Sequence, residues 1–375
     1  MRIGIEAQRI FRPDKHGMDY VILSVLRHLQ CTDSDNEYVV FVAPGQDHCL
    51  KNTKRMRIME LKCPTYPLWE QWALPRAARR AKVELLHCTS NTAPLYCSVP
   101  LMLTLHDIIY LNSPKSKGMS RYQKLGWHYR CWNVPRIINH CHHIITVSET
   151  ERINILHHFP ALKDKLSVVH NGYNDCYRQL SEKETLNVTR KYLPEKKYLL
   201  FLGNTDPRKN TVHVLQAYNK YLNSTLTPLK LVITGLKQEY VEIMLANMNI
   251  EVCASSIVYT GYVSGEDLPA LYNGAFAFLY PSLQEGFGIP VLEAMACGTP
   301  VITSNCSSLP EVAGQDGILI DPNQPQEITD AILRLETDTD FYRQQSAYGL
   351  ERIKQFSWEH TAEAYKQLYN LFLNP

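Results

Sequence analysis

Short apolar runs alternate with longer helical segments along the whole of this 375-residue chain. The runs lie at 2–7, 38–43, 83–88, 101–107, 143–148 and 166–171 in the first half, and at 198–203, 231–235, 257–261, 275–280, 300–304 and 317–321 in the second. Such runs suit strands that are buried on both faces of a parallel sheet, with the intervening segments as connecting helices. Because a domain usually holds about 100–200 residues, the pattern predicts an α/β protein with two doubly wound domains.

The boundary between the two predicted domains falls in a polar stretch without clear periodicity. We predict a first domain over 1–175, a linker over 176–197 and a second domain over 198–355. The segment 356–375 begins FSWEHTAEAYKQLYNLFL, and its amphipathic pattern predicts a closing helix.

The net charge of +2 hides an asymmetry between the halves. Residues 1–175 hold 23 Lys+Arg and 15 Asp+Glu, whereas the remaining residues hold 16 and 22. A basic half joined to an acidic half suggests that each half has its own kind of partner. The near-neutral total and the lack of a known nucleic-acid motif argue against a nucleic-acid binder.

The cysteines and the N-terminal sequence bear on the compartment. The chain has 11 cysteines without a C-x-x-C pair, which indicates reduced thiols and therefore a cytoplasmic protein. The start MRIGIEAQRIF lacks the apolar core of a signal peptide, and no run of 18 apolar residues occurs. We therefore expect a protein that is neither secreted nor membrane-spanning.

The segment YPSLQEGFGIPVLEAMACGTPV (280–301) gives the clearest indication of a ligand site. The loop EGFG follows a predicted strand, and glycine allows a backbone to approach a ligand closely. Pro290 is favourable at a first helical position, and Gly298 suits the residue after a helix end. The loop thus ends at a helix N-terminus, where unpaired N–H groups and the positive dipole end favour phosphate oxygens.

Two carboxylates frame this loop. Glu293 lies near the end of the first helical turn, where it can accept both hydroxyls of a ribose, as the acidic residue of dinucleotide sites does. Glu285 precedes the loop, where a sugar on the β-phosphate would lie. The arrangement predicts a site for a sugar nucleotide. The alternative is a capped surface helix with an acid in its first turn.

The segment GNTDPRKN (203–210) carries the cations that a diphosphate needs. Arg208 can bind a diphosphate through two parallel hydrogen bonds, and Lys209 adds a point charge. Cations are unfavourable beside the positive end of a helix, so their placement favours a nearby anion. The alternative is a pair of solvated cations at a helix start.

With EGFGIPVLEAMACGTPV and PRKN, the chain resembles the GT-B glycosyltransferases of retaining family 4, also called glycosyl transferases group 1. Further similar motifs are HDIIY (106–110), ITVSE (145–149), VVHNGYN (168–174) and TGYVSGEDLPALYNGA (260–275). The resemblance covers nearly the whole chain and is greatest to bacterial polysaccharide mannosyltransferases. It implies two Rossmann-like domains facing across a cleft, with the C-terminal helix returning to the first domain.

The resemblance also implies roles for single residues. Glu285 would contact hydroxyls of the donor sugar, Glu293 the ribose, and Arg208 and Lys209 the diphosphate of the leaving group. The other implied donor-binding residues are Gly286, Phe287, Gly288 and Ile289 through their amides, and Tyr262 and Val263 beside the nucleobase.

Two implied contacts fall in the first domain. His106 would reach the donor sugar next to the reacting carbon; the alternative is a strand-end histidine bonded to a loop. The first glycine loop, FRPDKHGMDY, has only Gly17 where the family often has two or three glycines. The resemblance implies that this loop contacts the acceptor or a phosphate.

By resemblance, the expected reaction moves a hexose, with mannose from GDP-mannose as the best fit, to a glycan or lipid-linked saccharide. The alternatives are a UDP-dependent transferase for glucose or N-acetylglucosamine, an epimerase, a phosphorylase and a non-catalytic binding protein. A nicotinamide dehydrogenase is disfavoured because neither half has G-x-G-x-x-G. We expect no metal, since the D-x-D strings at Asp33/Asp35 and Asp338/Asp340 lie in polar segments away from the predicted site.

The stretch from Ile108 to Ser148 contains no acidic residue. Its cations and interleaved aromatic residues are Lys115, Lys117, Arg121, Lys124, Arg130 and Arg136, with Trp127, Tyr129 and Trp132. A basic, aromatic surface suits an anionic membrane or a lipid-linked phosphate, which predicts peripheral membrane contact through 115–136. The alternative is an ordinary solvated face.

Two further polar residues of the first half are assigned structural roles. Ser148 and Glu151 form the S-x-x-E pattern of a capping box, which predicts that a helix begins after Ser148. His87 ends a predicted strand and is interpreted as a core histidine.

Overall fold

The computed structural model describes residues 1–15, 17–112, 121–193, 197–251 and 254–373. The chain forms two compact units: unit 1 comprises Met1–Gly172 and Trp358–Pro375, and unit 2 comprises Tyr173–Ser357. Each unit is a parallel sheet whose strands are connected by helices, which confirms the predicted fold class.

The bounds of the elements within the described residues are as follows. The strands are β1 (Arg2–Glu6), β2 (Glu37–Val42), β3 (Met56–Glu60), β4 (Leu85–Cys88), β5 (Leu101–Thr104), β6 (His143–Thr146), β7 (Leu166–Val168), β8 (Tyr198–Leu202), β9 (Lys230–Thr234), β10 (Ile257–Gly261), β11 (Ala277–Tyr280), β12 (Val301–Ser304) and β13 (Ile318–Ile320). The α-helices are α1 (Gly17–Thr32), α2 (Tyr66–Leu68), α3 (Leu74–Arg80), α4 (Ile109–Asn112), α5 (Arg121–Ile137), α6 (Glu149–His158), α7 (Glu182–Thr189), α8 (Thr211–Leu222), α9 (Gln238–Asn247), α10 (Leu268–Gly274), α11 (Ile289–Ala296), α12 (Leu309–Ala313), α13 (Pro325–Thr337), α14 (Thr339–Arg352) and α15 (Trp358–Leu373). A π-helical turn, Trp69–Ala73, joins α2 to α3.

The described part of unit 1 contains a sheet with the strand order β3-β2-β1-β4-β5-β6-β7. Every strand predicted in this half is confirmed. The edge strand β3 was not predicted, because its sequence MRIME interrupts the apolar residues with Arg57 and leaves most of the strand partly exposed. The predicted runs at 101–107 and 166–171 overshoot, since their polar ends, such as His106 and Asn171, leave the sheet.

The last helix, α15, belongs to unit 1. Its Tyr369 hydroxyl lies 2.7 Å from Nδ1 of His87, and Lys366 Nζ lies 3.1 Å from Asp35 Oδ2. Burial lowers the pKa of His87 to about 3, so the neutral ring is a core hydrogen-bonding group as interpreted from the sequence. The predicted return of the C-terminal helix to the first domain is confirmed.

Unit 2 has the strand order β10-β9-β8-β11-β12-β13 within its described residues, and all strands predicted there are confirmed. The central pair β8 and β11 is aligned by Leu199 opposite Ala277 and Phe201 opposite Leu279. These four side chains are at most 1% exposed, so apolar burial on both faces holds the central strands in place.

The segment 176–197 differs from the predicted linker, because unit 2 already begins at Tyr173. It contains helix α7, which starts with a capping box: the Ser181 hydroxyl accepts from the Glu184 amide, and Glu184 accepts from the Ser181 amide. The buried face of α7 consists of Thr185 and Thr189. Because these residues are polar, the helix lacks the periodic apolar pattern by which it could have been predicted from sequence. Just after α7, Lys191 pairs with Asp267 at 3.0 Å and thus fixes the segment to unit 2.

Candidate active site

The strand order of unit 2 reverses between β8 and β11. In open α/β sheets, such a reversal leaves a crevice at the carboxyl ends of the two strands, and ligands bind there. The segment 203–210 follows β8, and the segment 281–288 follows β11. The two motifs that predicted the site from sequence therefore meet at this reversal.

Hydrogen bonds join the two segments directly. The Leu283 amide donates to the Arg208 carbonyl at 2.7 Å. The buried Asn210 side chain donates to the Pro281 carbonyl at 3.0 Å and to the Pro322 carbonyl at 2.7 Å. Asn210 has φ of 62°, a left-handed conformation that asparagine tolerates better than most residues. The side chains of both segments are thus held in a fixed mutual position.

Lys209, Glu285 and Tyr280 form a charged cluster at the crevice. Lys209 Nζ lies 2.6 Å from Glu285 Oε1, and the Tyr280 hydroxyl donates to the same oxygen at 2.8 Å. Lys209 also donates to the Tyr280 hydroxyl at 3.0 Å. The side chains of Lys209 and Glu285 are 23% and 13% exposed, so the pair is shielded but reachable. Tyr280 was missed from the sequence, where a tyrosine ending an apolar strand looks like any core residue.

Arg208 is held beside this cluster by Asp206. The guanidinium Nη2 lies 2.7 Å from Asp206 Oδ2, and Asp206 also accepts from the Arg208 amide at 3.1 Å. Burial would raise the pKa of Asp206, but the hydrogen bonds from Arg208 outweigh it and leave the pKa below its usual value. Arg208 is about one-third exposed, so an incoming anion can reach it.

The loop from Glu285 to Gly288 is fixed by two serines at the start of α12. Ser307 Oγ accepts from the Glu285 amide at 3.0 Å, and Ser308 Oγ donates to the Phe287 carbonyl at 2.7 Å. Gly288 has φ of +119°, and a Cβ there would lie 2.8 Å from Leu309 Cδ2. Only glycine fits both constraints, and α11 begins at the next residue, Ile289. The positive end of α11 therefore stands at the crevice.

Glu293 lies on α11 and is partly buried. The Tyr272 hydroxyl donates to Glu293 Oε2 at 3.3 Å, and the Tyr177 hydroxyl also favours the charged form of this carboxylate. Burial raises the pKa of Glu293 to about 7, against the opposing effect of the two tyrosine hydroxyls. The two tyrosines were also missed, because they come from segments outside the motif.

Tyr262 and Val263 follow β10, at the edge of the same sheet. Since neighbouring strands lie about 4.8 Å apart, the end of β10 lies roughly 10 Å from the end of β8. Tyr262 is 83% exposed. The two residues thus follow a strand at the same carboxyl-end edge of the sheet as the charged cluster, two strands away from β8.

The remaining predicted residues, His106 and Gly17, lie in unit 1. His106 is buried after β5, with Nε2 3.0 Å from the Thr89 carbonyl and its amide 2.6 Å from Asn91 Oδ1. Burial lowers the pKa of His106, and the carbonyl partner requires a proton on Nε2 of the neutral ring. This is the geometry of the alternative interpretation, a strand-end histidine bonded to a loop. Gly17 begins α1, and a Cβ there would meet nothing within 4 Å.

Both D-x-D strings have structural partners. Asp33 accepts from Tyr38 and Asn36, while Asp338 accepts from the Phe341 amide at the start of α14. In the part of the chain that the structure describes, no group of three His, Cys, Asp or Glu side chains is placed to hold a metal ion. Over the same residues, no helix combines the length and apolarity needed to cross a bilayer.

The sequence matches two known families along most of its length. Residues 16–175 match Glycosyltransferase Family 4, and residues 183–352 match Glycosyl transferases group 1. O-antigen chain mannosyltransferase B of Escherichia coli is 36% identical over 272 residues, which are 71% of this chain and 70% of that protein. Serotype-specific mannosyltransferase WbdA of Escherichia coli is 30% identical over 58% of this chain. The matched segment makes up 27% of WbdA, so the comparison covers only a part of that longer protein.

The solved structures agree on the fold. HepE of Anabaena, solved in complex with UDP-glucose, superposes with a TM-score of 0.73 over 99% of each chain, at 16% identity. At that identity the likeness speaks for the architecture alone. Together with the family matches and the 36% identical relative, it shows that this chain belongs to the family 4, group 1 glycosyltransferases, which have the GT-B fold.

Proposed function

We propose that this glycosyltransferase moves mannose from GDP-mannose to a glycan or lipid-linked saccharide in cell-surface polysaccharide synthesis, with retention of anomeric configuration. The ion pair of Lys209 and Glu285 at the β8/β11 reversal carries the proposal, since it puts a cation for a diphosphate and an acceptor for sugar hydroxyls side by side. The two Escherichia coli relatives named above, both mannosyltransferases, support the choice of mannose.

The proposed mechanism places charge stabilisation on the leaving group. Breaking the bond between the anomeric carbon and the diphosphate transfers negative charge to the diphosphate. Lys209 and Arg208 then bind phosphate oxygens, and the N-terminus of α11 adds its positive end, so the stabilising groups are in place before the reaction. Glu285, once it shares Lys209 with the diphosphate, accepts hydrogen bonds from the sugar.

Retention follows in this proposal from attack on the face that the leaving group departs from. The acceptor oxygen forms the new bond to the anomeric carbon, and the departing phosphate oxygen takes the acceptor's proton. We assign no side chain as a covalent nucleophile. NMR of the product would show the anomeric configuration, and an inverted product would refute retention.

The donor base is tested by thermal shift with GDP, UDP, ADP and their sugars. A ligand that binds only the native state raises the melting temperature, so GDP and GDP-mannose should give the largest shift. A UDP-dependent transferase is the second candidate, because the fold is shared with a HepE structure that holds UDP-glucose. A larger shift with UDP and transfer from a UDP-sugar would favour that candidate. Release of a free sugar or an epimer without an acceptor would indicate a phosphorylase or epimerase.

We further propose that transfer needs no metal, since cationic side chains are available for the leaving group. Dialysis against EDTA should leave the transfer rate unchanged. Loss of activity that manganese restores would contradict this proposal.

We also propose that unit 1 contacts an anionic membrane at its cytoplasmic face. Trp72 and Trp132 are 55% and 42% exposed, and each carries an arginine over its ring, Arg76 at 4.4 Å and Arg136 at 5.3 Å. Such aromatic and cationic pairs suit the interface of an anionic bilayer. Lys115 and Lys117, which the sequence also assigned to this surface, lie outside the described residues.

The one acidic residue of the sequence segments around these two tryptophans is kept away from solvent. Residues 61–83 and 108–148 contain a single acid, Glu70, and its side chain is fully buried. Glu70 accepts hydrogen bonds from Tyr66, Thr92 and Tyr129 inside the unit, so these segments present no exposed carboxylate among their described residues.

Sedimentation with phosphatidylglycerol vesicles tests the contact. Binding should be strong at low salt, absent with phosphatidylcholine vesicles, and reduced in the double variant Trp72→Ser/Trp132→Ser. The control Tyr240→Ser removes an equally exposed aromatic ring from unit 2 and should bind like the wild type. If the wild type ignores anionic vesicles at low salt, the membrane proposal fails.

A further inference from the structure

Glu293 is surrounded by hydroxyls that reach it from two other segments of unit 2. Tyr272 comes from α10 and is fully buried, and Tyr177 comes from the segment before α7 and is 7% exposed. Their ring centroids lie 5.8 Å apart. The Tyr272 hydroxyl donates to Glu293 Oε2 at 3.3 Å, and the Tyr177 hydroxyl also acts to lower the pKa of this carboxylate. Tyr272 is itself fixed, since its carbonyl accepts from Thr299 at 2.6 Å and its ring packs edge-on against Phe278 at 5.1 Å.

The other described titratable groups that interact with Glu293 are also neutral at physiological pH. They are Cys176 beside Tyr177, Cys297 at the end of α11, and Tyr280 at the end of β11, and burial raises the pKa of each. The Tyr280 hydroxyl already donates to Glu285. Among the described groups around Glu293, the hydroxyls of Tyr177 and Tyr272 thus favour the charged form of its carboxylate and lower its pKa.

We propose that Tyr177 and Tyr272 are positioning residues for the donor: they hold the Glu293 carboxylate in the ionised, oriented state that accepts the ribose hydroxyls. The inference rests on the proposed function, in which Glu293 binds the ribose of a nucleotide sugar. An ionised carboxylate is an acceptor at both oxygens and can take several hydrogen bonds, so Oε2 can serve Tyr272 while other lone pairs remain for the ribose. A protonated carboxyl loses one acceptor position and binds a diol less well.

The proposal predicts a pH dependence of donor binding. Burial places the pKa of Glu293 at about 7, and the two tyrosine hydroxyls keep it from rising further. Nucleotide affinity of the wild type should therefore fall as the pH drops through about 7. If the Tyr177 or Tyr272 hydroxyl is removed, the ionised Glu293 carboxylate loses a stabilising donor and its pKa rises. The affinity should then begin to fall at a higher pH.

Titration calorimetry with GDP, and with UDP in parallel, from pH 5.5 to 9 tests this on the full-length protein. In Tyr177→Phe and Tyr272→Phe, the pH at which the nucleotide affinity begins to fall (the acid limb of the pH profile) should be higher by about 0.5–1 pH unit. At pH 9 their dissociation constants should stay within about twofold of the wild type, since Glu293 is then ionised in all three proteins.

Tyr221→Phe is the matched control. Its hydroxyl also donates to a carboxylate of unit 2, Glu336 at 2.7 Å, and its side chain is fully buried. Tyr221→Phe should lose stability as the other variants do, but its nucleotide affinity should fall at the same pH as that of the wild type. A similar shift in Tyr221→Phe, or an equal loss of affinity at every pH in the other two variants, overturns the positioning role.

A second readout does not depend on nucleotide binding. Carbon-13 NMR of protein labelled at the glutamate carboxyl, with the Glu293 signal assigned through Glu293→Gln, follows its titration directly in the ligand-free protein. An upward shift in both phenylalanine variants supports the proposal, and an unchanged titration rejects it. Absence of nucleotide binding by the wild type would instead count against the proposed function, while the NMR result still decides the role of the tyrosines.

Discussion

The carboxyl-end edges of the two sheets have the same strand order at their reversals, β1 beside β4 and β8 beside β11, but they handle charge differently. In unit 1, Glu6 ends β1 fully buried and accepts from the amide and hydroxyl of Thr89. In unit 2, by contrast, Lys209 pairs with Glu285 across the reversal, and both remain partly exposed.

The difference shows that the fold provides the position of a site and the loops decide its chemistry. Buried acids such as Glu6 and Glu70 already accept hydrogen bonds from neutral donors. Binding a ligand would break these bonds, and a buried carboxylate without partners costs free energy. A cation paired with a carboxylate at an accessible edge can exchange that partner for a phosphate oxygen. Unit 2 is therefore the better candidate for binding the diphosphate.

The largest expected effect comes from removing the cations of unit 2. Lys209→Met and Arg208→Ala should each lower turnover at saturating donor by about 10²–10³-fold, as loss of a preorganised charge-stabilising group does. Arg343→Ala removes a cation of the same unit that is 75% exposed and should leave turnover unchanged. Full activity of Arg208→Ala in steady-state assays would contradict its role on the leaving group.

The next effect concerns a carboxylate in each unit. Glu293→Ala should weaken nucleotide binding by about 10–100-fold, because hydrogen bonds to a charged group contribute about 1.5–3 kcal/mol. Glu70→Gln in unit 1 keeps the shape of the side chain and should leave that affinity unchanged in calorimetry. Equal losses in the two variants would remove the contrast between the units.

One glycine in each unit, Gly288 and Gly17, allows the two units to be compared through the free energy of unfolding. Gly288→Ala places a Cβ at φ of +119° and against Leu309, and it should lower the free energy of unfolding by about 1–3 kcal/mol. Gly17→Ala meets no neighbour within 4 Å and starts a helix, so its effect should stay within about 0.5 kcal/mol. Denaturant unfolding measures both. A loss of transfer in Gly17→Ala without a loss of stability would support the predicted contact of the first loop.

The smallest expected effect concerns His106. Burial lowers its pKa in the folded state, so its contribution to stability is present above the unfolded value near 6.5 and is lost as the pH falls below it. From pH 7 to 5 the free energy of unfolding should therefore drop less in His106→Gln than in the wild type, as measured by denaturant unfolding at each pH. If His106→Ala transfers sugar at the wild-type rate, the residue has no part in the reaction.

Much of the site could be predicted because its residues lie in short motifs that directly follow predicted strands. EGFG and the helix VLEAMAC follow one strand directly, and PRK follows another, so propensity and spacing place Glu285, Glu293, Arg208 and Lys209 at strand ends. The supporting residues could not be predicted in this way. Tyr272 lies 21 residues before Glu293, and Ser307 lies 22 residues after Glu285, so only the folded chain shows that they meet.

The sequence by itself determined two doubly wound domains and the edge at which the ligand should bind, because strand and helix periodicity and glycine placement act over a few residues. Tertiary structure decided which charges meet. Strand order β8 beside β11 brings Lys209 within 2.6 Å of Glu285, which lies 76 residues away, and burial under Tyr177 and Tyr272 sets the pKa of Glu293. Both depend on packing across the sheet. No local sequence pattern encodes the distance between Lys209 and Glu285 or the loss of water around Glu293 that raises its pKa.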